Sequence, residues 1–288
     1  MENLRDAALV LEGGAMRGIF TSGVLDVLME NECWFSYVIG VSAGSCNAAD
    51  YVSRQVGRSR DCIAVEDKSH RYVHGDLPSM IRGKAFDLDR LCFEFTKEYM
   101  PFDFKTYSES EMEAEYVATN AKTGKAEYFS EKTDEDRLYN LIAASCSMPL
   151  ITELRPVDDG IYADGGITDS IPVVHAMKKG YKKIFAVLTR PFGYRKQREK
   201  KMEILFRRKY RDYPNLVKAL CTRYVVYDKT LDLIEKWESE GRIFVIRPEM
   251  PAVSHTEQDT GKLLAFYRHG INLMEERYGD LERYLNAD

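Results

Sequence analysis

The stretch AALVLEGGAMRGIF, residues 7–20, passes from five apolar residues through a glycine loop into a helical pattern in which Ile19, Phe20, Val24, Val27 and Leu28 share one face. It reads as strand, loop, helix. A second unit of the same kind follows at once: WFSYVIG (34–40), rich in aromatic and β-branched residues, leads through VSAGS (41–45) into the small-residue run CNAADYVS (46–53). Two strand–turn–helix units in the first 55 residues predict a mainly parallel sheet covered by helices, because parallel strands need crossover connections. Glycines at a strand-to-helix junction let backbone N–H groups approach an anion. A nucleotide phosphate and an oxyanion formed only during a reaction both fit the loop taken alone.

Further along, EYVATNAKTGKAEYFS (115–130) predicts a hairpin, with strand-like runs Tyr116–Thr119 and Ala126–Phe129 about the turn KTGK. TDEDRLYNLIAASCSMP (133–149) opens with capping residues and acids, runs with helical period and is stopped by Pro149. Strands are expected at KIFAVLT (183–189) and RIFVIRP (242–248), and helices at about 214–238 and 257–278. Residues 55–110, including VHGDLPSMIRGKAF (73–86), show no clear period and read as irregular elements over an active face. With no repeat, low-complexity tract or linker, residues 1–288 are expected to form a single α/β domain, 190–288 being its helical and strand extension.

Composition narrows the function. The net charge of −5 argues against nucleic acid as a partner, since phosphate binding at that scale needs a dominant positive field. The amino terminus has no basic start followed by a cleavable apolar stretch, and no run of 18 apolar residues occurs, so a cytoplasmic location is expected. Six cysteines scattered singly predict reduced thiols and no metal site. One segment departs from the acidic average: RKQREKKMEILFRRKYR (195–211) is basic, with Met202, Leu205, Phe206 and Tyr210 at helical spacing. It reads as a solvated helix resting one face on the core, or as a basic amphipathic element meeting an anionic lipid surface at the inner membrane face.

GVSAG, Gly40 to Gly44, fits the pattern G-x-S-x-G, in which a serine sits on a sharp turn between strand and helix with its hydroxyl exposed. Gly40 and Gly44 let strand and helix approach each other around Ser42, and the helix amino terminus favours developing negative charge there. A serine needs a base. Of the histidines His70, His74, His175, His255 and His269, none stands in a catalytic-looking context, although His255 and His269 lie late in the chain, where a triad histidine could be. IYADGGITDSIP (161–172) instead places Asp164 at the end of an apolar run, before Gly165 and Gly166. Its carboxylate is either presented on a tight turn at a strand end or simply solvated there.

EGGAMRG (12–18), GVSAG and DGG, in this order and spacing, resemble the patatin-like phospholipases over about residues 9–172, and SCSMP (145–149) resembles a small-residue helix end of that family. The resemblance implies a three-layer α/β/α fold and hydrolysis of lipid acyl esters, with no cofactor. It further implies a Ser42–Asp164 dyad without histidine and an oxyanion hole from the N–H groups of Gly13, Gly14 and Ala15. Arg17 would support that loop or its field, and Gly18 would let the next helix pack closely. Two departures stand out. The third loop glycine of the family is Ala15 here, whose methyl group forbids an easy positive φ, and Ser170 replaces an asparagine often seen before the proline. The resemblance favours phospholipids or lysophospholipids as substrates. Three rivals remain: a Rossmann-like nucleotide binder, for which Gly13, Ala15 and Gly18 nearly fill G-x-G-x-x-G, a conventional serine hydrolase with a histidine triad, which expects more strands before the nucleophile than precede Ser42, and a non-catalytic lipid-binding protein.

Overall fold

Apolar side chains alternate across the first strand, β1 (Leu4–Leu11), with Leu9 and Leu11 entering one core and Ala8 and Val10 the other. A strand buried on both faces needs a helical layer on each side, and the computed structural model, which describes residues 3–74 and 85–287, has both. On one side lie α1 (Gly18–Glu30), α2 (Ala43–Val52), α5 (Glu135–Ser145) and α9 (Thr260–Asn286). The other side is covered by α6 (Val173–Lys178) and α8 (Pro214–Ser239). The architecture is the expected three-layer α/β/α.

The remaining strands are β2 (Trp34–Val41), β3 (Glu113–Asn120), β4 (Lys125–Phe129), β5 (Arg155–Val157), β6 (Gly160–Asp164), β7 (Ile184–Val187) and β8 (Phe244–Ile246). They connect in the order β5-β6-β3-β2-β1-β7-β8, with β4 also paired to β3. The four pairings from β3 through β2, β1 and β7 to β8 are parallel, whereas β4 and β6 join β3 antiparallel.

Local chemistry accounts for the element ends. Asp134 caps α5 by accepting the Arg137 N–H at 3.0 Å, and Asp259 caps α9 through the Lys262 N–H at 3.1 Å. Gly124 supplies the positive φ of the β3–β4 hairpin turn.

Two expectations need correction. Residues 55–110 are more helical than their pattern predicts, with α3 (Arg58–Ile63), a π-helical segment Arg90–Tyr99 and α4 (Phe104–Glu109); residues 75–84 lie outside the described residues. In the π-helical segment only Cys92 and Phe95 are buried, a spacing too sparse to stand out among charged residues. The last helix also runs to Asn286 rather than 278, because Leu281 still reaches the core.

Helix α9 docks on α1 at backbone contact. A Cβ at Gly23 would collide with the Tyr267 carbonyl, and one at Gly270 with the Phe20 carbonyl. Beside this crossing, buried Asp26 accepts the Tyr267 hydroxyl at 2.6 Å and the Gly57 N–H at 2.9 Å. Gly23→Ala should therefore lower stability by about 1–3 kcal/mol through overpacking, measurable as an earlier urea midpoint; an unchanged midpoint would refute backbone contact between the helices.

Candidate active site

The geometry follows from one edge of β3. Gly40 and Val41 of β2 pair with Tyr116 and Val117, and at the next residue Ala118 pairs instead with Asp164 of β6. Because β4 occupies the opposite edge over the same residues, β2 and β6 lie end to end. The residue after β2 is Ser42 and the last residue of β6 is Asp164, so two positions 122 residues apart meet at one break in the sheet.

Ser42 has φ 55° and ψ −126°, a region costly for any L-residue, by roughly 1–3 kcal/mol. Tight packing holds it there. A Cβ at Gly40 would strike the Gly44 carbonyl, and one at Gly44 the Leu11 carbonyl, so only glycine permits this turn against β1. Ser145, at the end of α5, completes the support. Its hydroxyl donates to the Val117 carbonyl at 2.6 Å and accepts the Ser42 N–H at 2.9 Å. With its only hydrogen committed, it must accept the Ser45 hydroxyl at 2.8 Å, which fills both lone pairs.

Asp164 is 2% exposed. Its N–H donates to the Ser147 carbonyl at 2.8 Å, its carbonyl accepts the Thr119 hydroxyl at 2.9 Å, and its Oδ1 accepts the Gly166 N–H at 2.7 Å. The carboxylate is thus aimed inward rather than solvated. Burial pushes its pKa above the usual value; Arg223, the Ser42 side chain as hydrogen-bond partner, the Gly166 N–H and Lys196 pull the other way. Gly165 packs so closely on the Val117 carbonyl that a Cβ would collide with it. Ser170 donates to the Gly166 carbonyl at 2.6 Å, which also accepts from Arg223 at 2.6 Å.

The glycine loop lies against this pair. A Cβ on Gly13 would fall 2.9 Å from the Ser42 Cβ, one on Gly14 2.9 Å from the Thr189 hydroxyl, and one on Gly18 2.9 Å from the Ala43 Cβ. The glycines provide space, and the positive φ falls on Ala15 at 49°. This overturns the expectation that the alanine requires a conformation comfortable for a Cβ; it occupies the left-handed region at a cost of about 1–2 kcal/mol. Among the described residues, the N–H groups of Gly13, Gly14 and Ala15 donate to no protein acceptor. Glu12, buried at the end of β1, anchors the loop by accepting the Thr189 N–H and the Tyr227 hydroxyl, each at 2.6 Å.

Loop, serine and aspartate open on a cavity of about 680 Å³. Its lining includes the apolar groups Ile63, Leu88, Leu91, Phe102 and Ile142 and the basic groups Arg17, Arg190, Lys196 and Arg223. Burial and neighbouring Arg190 lower the Arg17 pKa to about 10, while burial and Arg223 lower that of Lys196 to about 7. Met202 and Phe206, from helix α7 (Lys200–Lys209), also line the cavity, whereas Leu205 on the same helix turns outward, against its expected inward place. Among the described residues no histidine hydrogen-bonds Ser42 or Asp164. His175 pairs with Glu115 at 2.7 Å, His269 accepts the Glu249 N–H, and only His255 lines the cavity. Ser145, Glu12, Thr189 and Tyr227 carry no local sequence signal for these roles, because their partners lie far away in the chain.

A family model described as patatin-like phospholipase matches residues 9–177, and one described as Domain of unknown function (DUF6363) matches 213–286. The uncharacterized protein YjjU of Escherichia coli strain K12 is 33% identical over 251 residues, covering 85% of this chain and 69% of YjjU. Lysophospholipase nte1 of Aspergillus terreus is 30% identical over 192 residues, 64% of this chain but 12% of that protein. The crystal structure of VipD from Legionella pneumophila superposes with a TM-score of 0.50 at 13% identity, covering 96% of this chain and 67% of VipD.

The raised pKa of Asp164 has a consequence for stability. Its folded-state value lies above the unfolded one, so ionisation opposes folding: the cost is absent below the unfolded pKa near 3.8 and complete above the folded one. Asp164→Asn keeps an acceptor for Gly166 without the charge. It should raise the melting temperature at pH 7 by a few degrees, corresponding to about 0.5–2 kcal/mol, with the gain fading as pH falls toward 4. A lower melting temperature at pH 7 would contradict the burial penalty.

Proposed function

The chain belongs to the patatin-like phospholipase family, and from that premise we propose that it is a serine hydrolase of lipid acyl esters, phospholipids or lysophospholipids, working through Ser42 and Asp164. The observation that carries this reading is the meeting of β2 and β6 on one edge of β3, which sets a strained serine beside a buried carboxylate with no histidine bonded to either. The reading takes residues 1–288 as one domain, supported by β8 in the common sheet and α9 in the common core.

Asp164 would take the Ser42 proton as Oγ attacks the ester carbonyl. A carboxylate desolvated enough to have a raised pKa is a stronger base than one in water. The tetrahedral oxyanion would be met by the uncommitted N–H groups of Gly13, Gly14 and Ala15, each preorganised donor being worth on the order of 3 kcal/mol in the barrier. Asp164 then returns the proton to the leaving alcohol, and afterwards takes one from the water that cleaves the acyl-enzyme and passes it to the departing Ser42 Oγ. Apolar lining such as Leu88, Leu91 and Phe102 suits an acyl chain. Family membership displaces the nucleotide-binding reading, and the retained serine, carboxylate and donors speak against lipid binding without catalysis.

Helix α7 supplies the reading of how the cavity meets lipid. No helix among the described residues is long and apolar enough to cross a membrane. Yet α7 exposes Ile204 by 69% and Leu205 by 48%, beside Arg207, Arg208 and Lys209, while Met202 and Phe206 of the same helix line the cavity. Segment 195–211 would rest on an anionic bilayer with its outer face and border the acyl entrance with its inner one.

A serine-reactive fluorophosphonate probe should label the protein but not Ser42→Ala, and hydrolysis of a fatty acyl p-nitrophenyl ester should fall by about 10²–10⁴-fold in Asp164→Asn. Equal labelling and turnover in all three proteins would overturn the dyad. Because the base must be ionised, wild-type turnover should rise from acid toward neutral pH with a midpoint above 3.8, the ordinary carboxylate value; a flat profile from pH 4 to 7 would exclude Asp164 as base.

For the membrane contact, affinity for vesicles containing phosphatidylglycerol, measured by sedimentation, should weaken by about two orders of magnitude in the triple variant Arg207→Gln, Arg208→Gln, Lys209→Gln, at roughly 1 kcal/mol per basic residue at the surface. Unchanged sedimentation would make α7 a solvated cover.

A further inference from the structure

Of the six lysine and arginine side chains that line the cavity among the described residues, Arg58 pairs with Asp50 and Arg195 with Asp232 and Glu235, which leaves Arg17, Arg190, Lys196 and Arg223. Among the described residues none of them pairs with a carboxylate. Their contacts are weaker ones. Arg190 lies over the Tyr194 ring at 4.4 Å, Lys196 over the Tyr227 ring at 4.2 Å, Arg223 donates to the Gly166 carbonyl, and the buried Nε of Arg17 has no partner. The neighbouring Arg195 shows what a structural cation does in this region: it pairs with Asp232 and Glu235 at 2.8 Å. Burial, and after it Arg190, lowers the Arg17 pKa; burial, and after it Arg223, lowers that of Lys196, while Glu12 pulls both the other way. Half-buried cations clustered without a carboxylate partner oppose folding, and an anion among them would reduce that penalty.

The nearby carboxylates are already engaged. Glu12 is held by Thr189 and Tyr227, Asp164 by Gly166, and Asp50, also on the cavity wall, by Arg58 at 2.6 Å. Glu199 is exposed. The cluster is also tied to the reacting groups, because Arg17 follows the donor loop directly and Arg223 bonds the carbonyl of Gly166, whose N–H holds Asp164. A glycerol ester held at Ser42 would lie in the same cavity as these cations.

We propose that Arg17, Arg190, Lys196 and Arg223 form a head-group subsite for a lipid phosphomonoester, so that net-anionic lipids of the phosphatidate or lysophosphatidate type are preferred over zwitterionic and neutral ones. The inference rests on the acyl-hydrolase reading and names its substrate class. Guanidinium forks and an ammonium group suit the several oxygens and double charge of a terminal phosphate. A choline or ethanolamine head group would bring a further cation beside these four, where Glu199, exposed and without a side-chain partner among the described residues, is the cavity carboxylate left to meet it.

The test compares oleoyl lysophosphatidate, oleoyl lysophosphatidylcholine and monoolein in neutral detergent micelles, with wild type, Lys196→Met, Lys196→Arg and Arg190→Gln. Wild type should favour lysophosphatidate in kcat/KM by about tenfold or more. Lys196→Met and Arg190→Gln should reduce the lysophosphatidate-to-monoolein ratio several-fold, chiefly through KM, and Lys196→Arg should restore it. Equal cleavage of the three lipids, or preference for the choline lipid, overturns the subsite while leaving the hydrolase. So does competition by inorganic phosphate without preference among the lipids, which would assign the cluster to a free anion. Binding of the same lipids to Ser42→Ala gives a readout independent of turnover. If that protein selects lysophosphatidate while the wild type cleaves nothing, including the p-nitrophenyl ester, the subsite stands and the hydrolase reading falls; no selection in binding overturns the subsite.

Discussion

Everything in the site depends on β3 giving one edge to two strands in succession. Parallel β2 uses that edge as far as Val117, and antiparallel β6 uses it from Ala118 onward. The sheet's own hydrogen bonding therefore holds Ser42 and Asp164 near each other, and no flexible loop has to bring them together. A mixed sheet is a necessity here: a parallel β6 would present its amino end to the break, and Asp164, at the carboxyl end, would lie at the far side of the strand. Ser145 joins the two halves, since its hydroxyl links the Ser42 N–H to the Val117 carbonyl at the point where pairing changes partners.

That placement explains what was legible in the sequence. Strands buried on both faces, capped helices and the KTGK hairpin follow from local pattern, and so did their positions. Ser42, Asp164 and the glycine loop were legible because turn chemistry is local. Ser145 was not: SCSMP showed a helix end of small residues, but the partner that gives Ser145 its role lies 103 residues earlier. Glu12 bonds residues 177 and 215 positions away, and the four cavity cations without a carboxylate partner among the described residues come from three separate segments, so no window of sequence contains either arrangement.

Ala15 shows where motif reasoning and geometry part company. A glycine-rich loop invites the idea that each glycine is there for an unusual φ. In this loop Gly13 and Gly14 are there for space, against Ser42 and Thr189, and the residue with positive φ carries a methyl group. The loop is held in that conformation from outside, through Glu12, Thr189 and Tyr227. Ser42 is likewise held by its surroundings. Strain of this kind persists only where neighbours over-determine the backbone, and here both strained residues border one cavity.

The same cavity contains the buried charges, and their interaction couples binding to chemistry. Arg223 and Lys196 both lower the pKa of Asp164, which in the free protein makes the carboxylate a weaker base than burial alone would produce. Under the head-group proposal, an anion bound to these cations offsets their field at Asp164. The carboxylate then becomes more basic when a suitable substrate is in place, so selectivity for an anionic head group would extend from KM into kcat. A neutral ester of the same acyl chain leaves Arg223 and Lys196 uncompensated, and meets the serine with a less effective base.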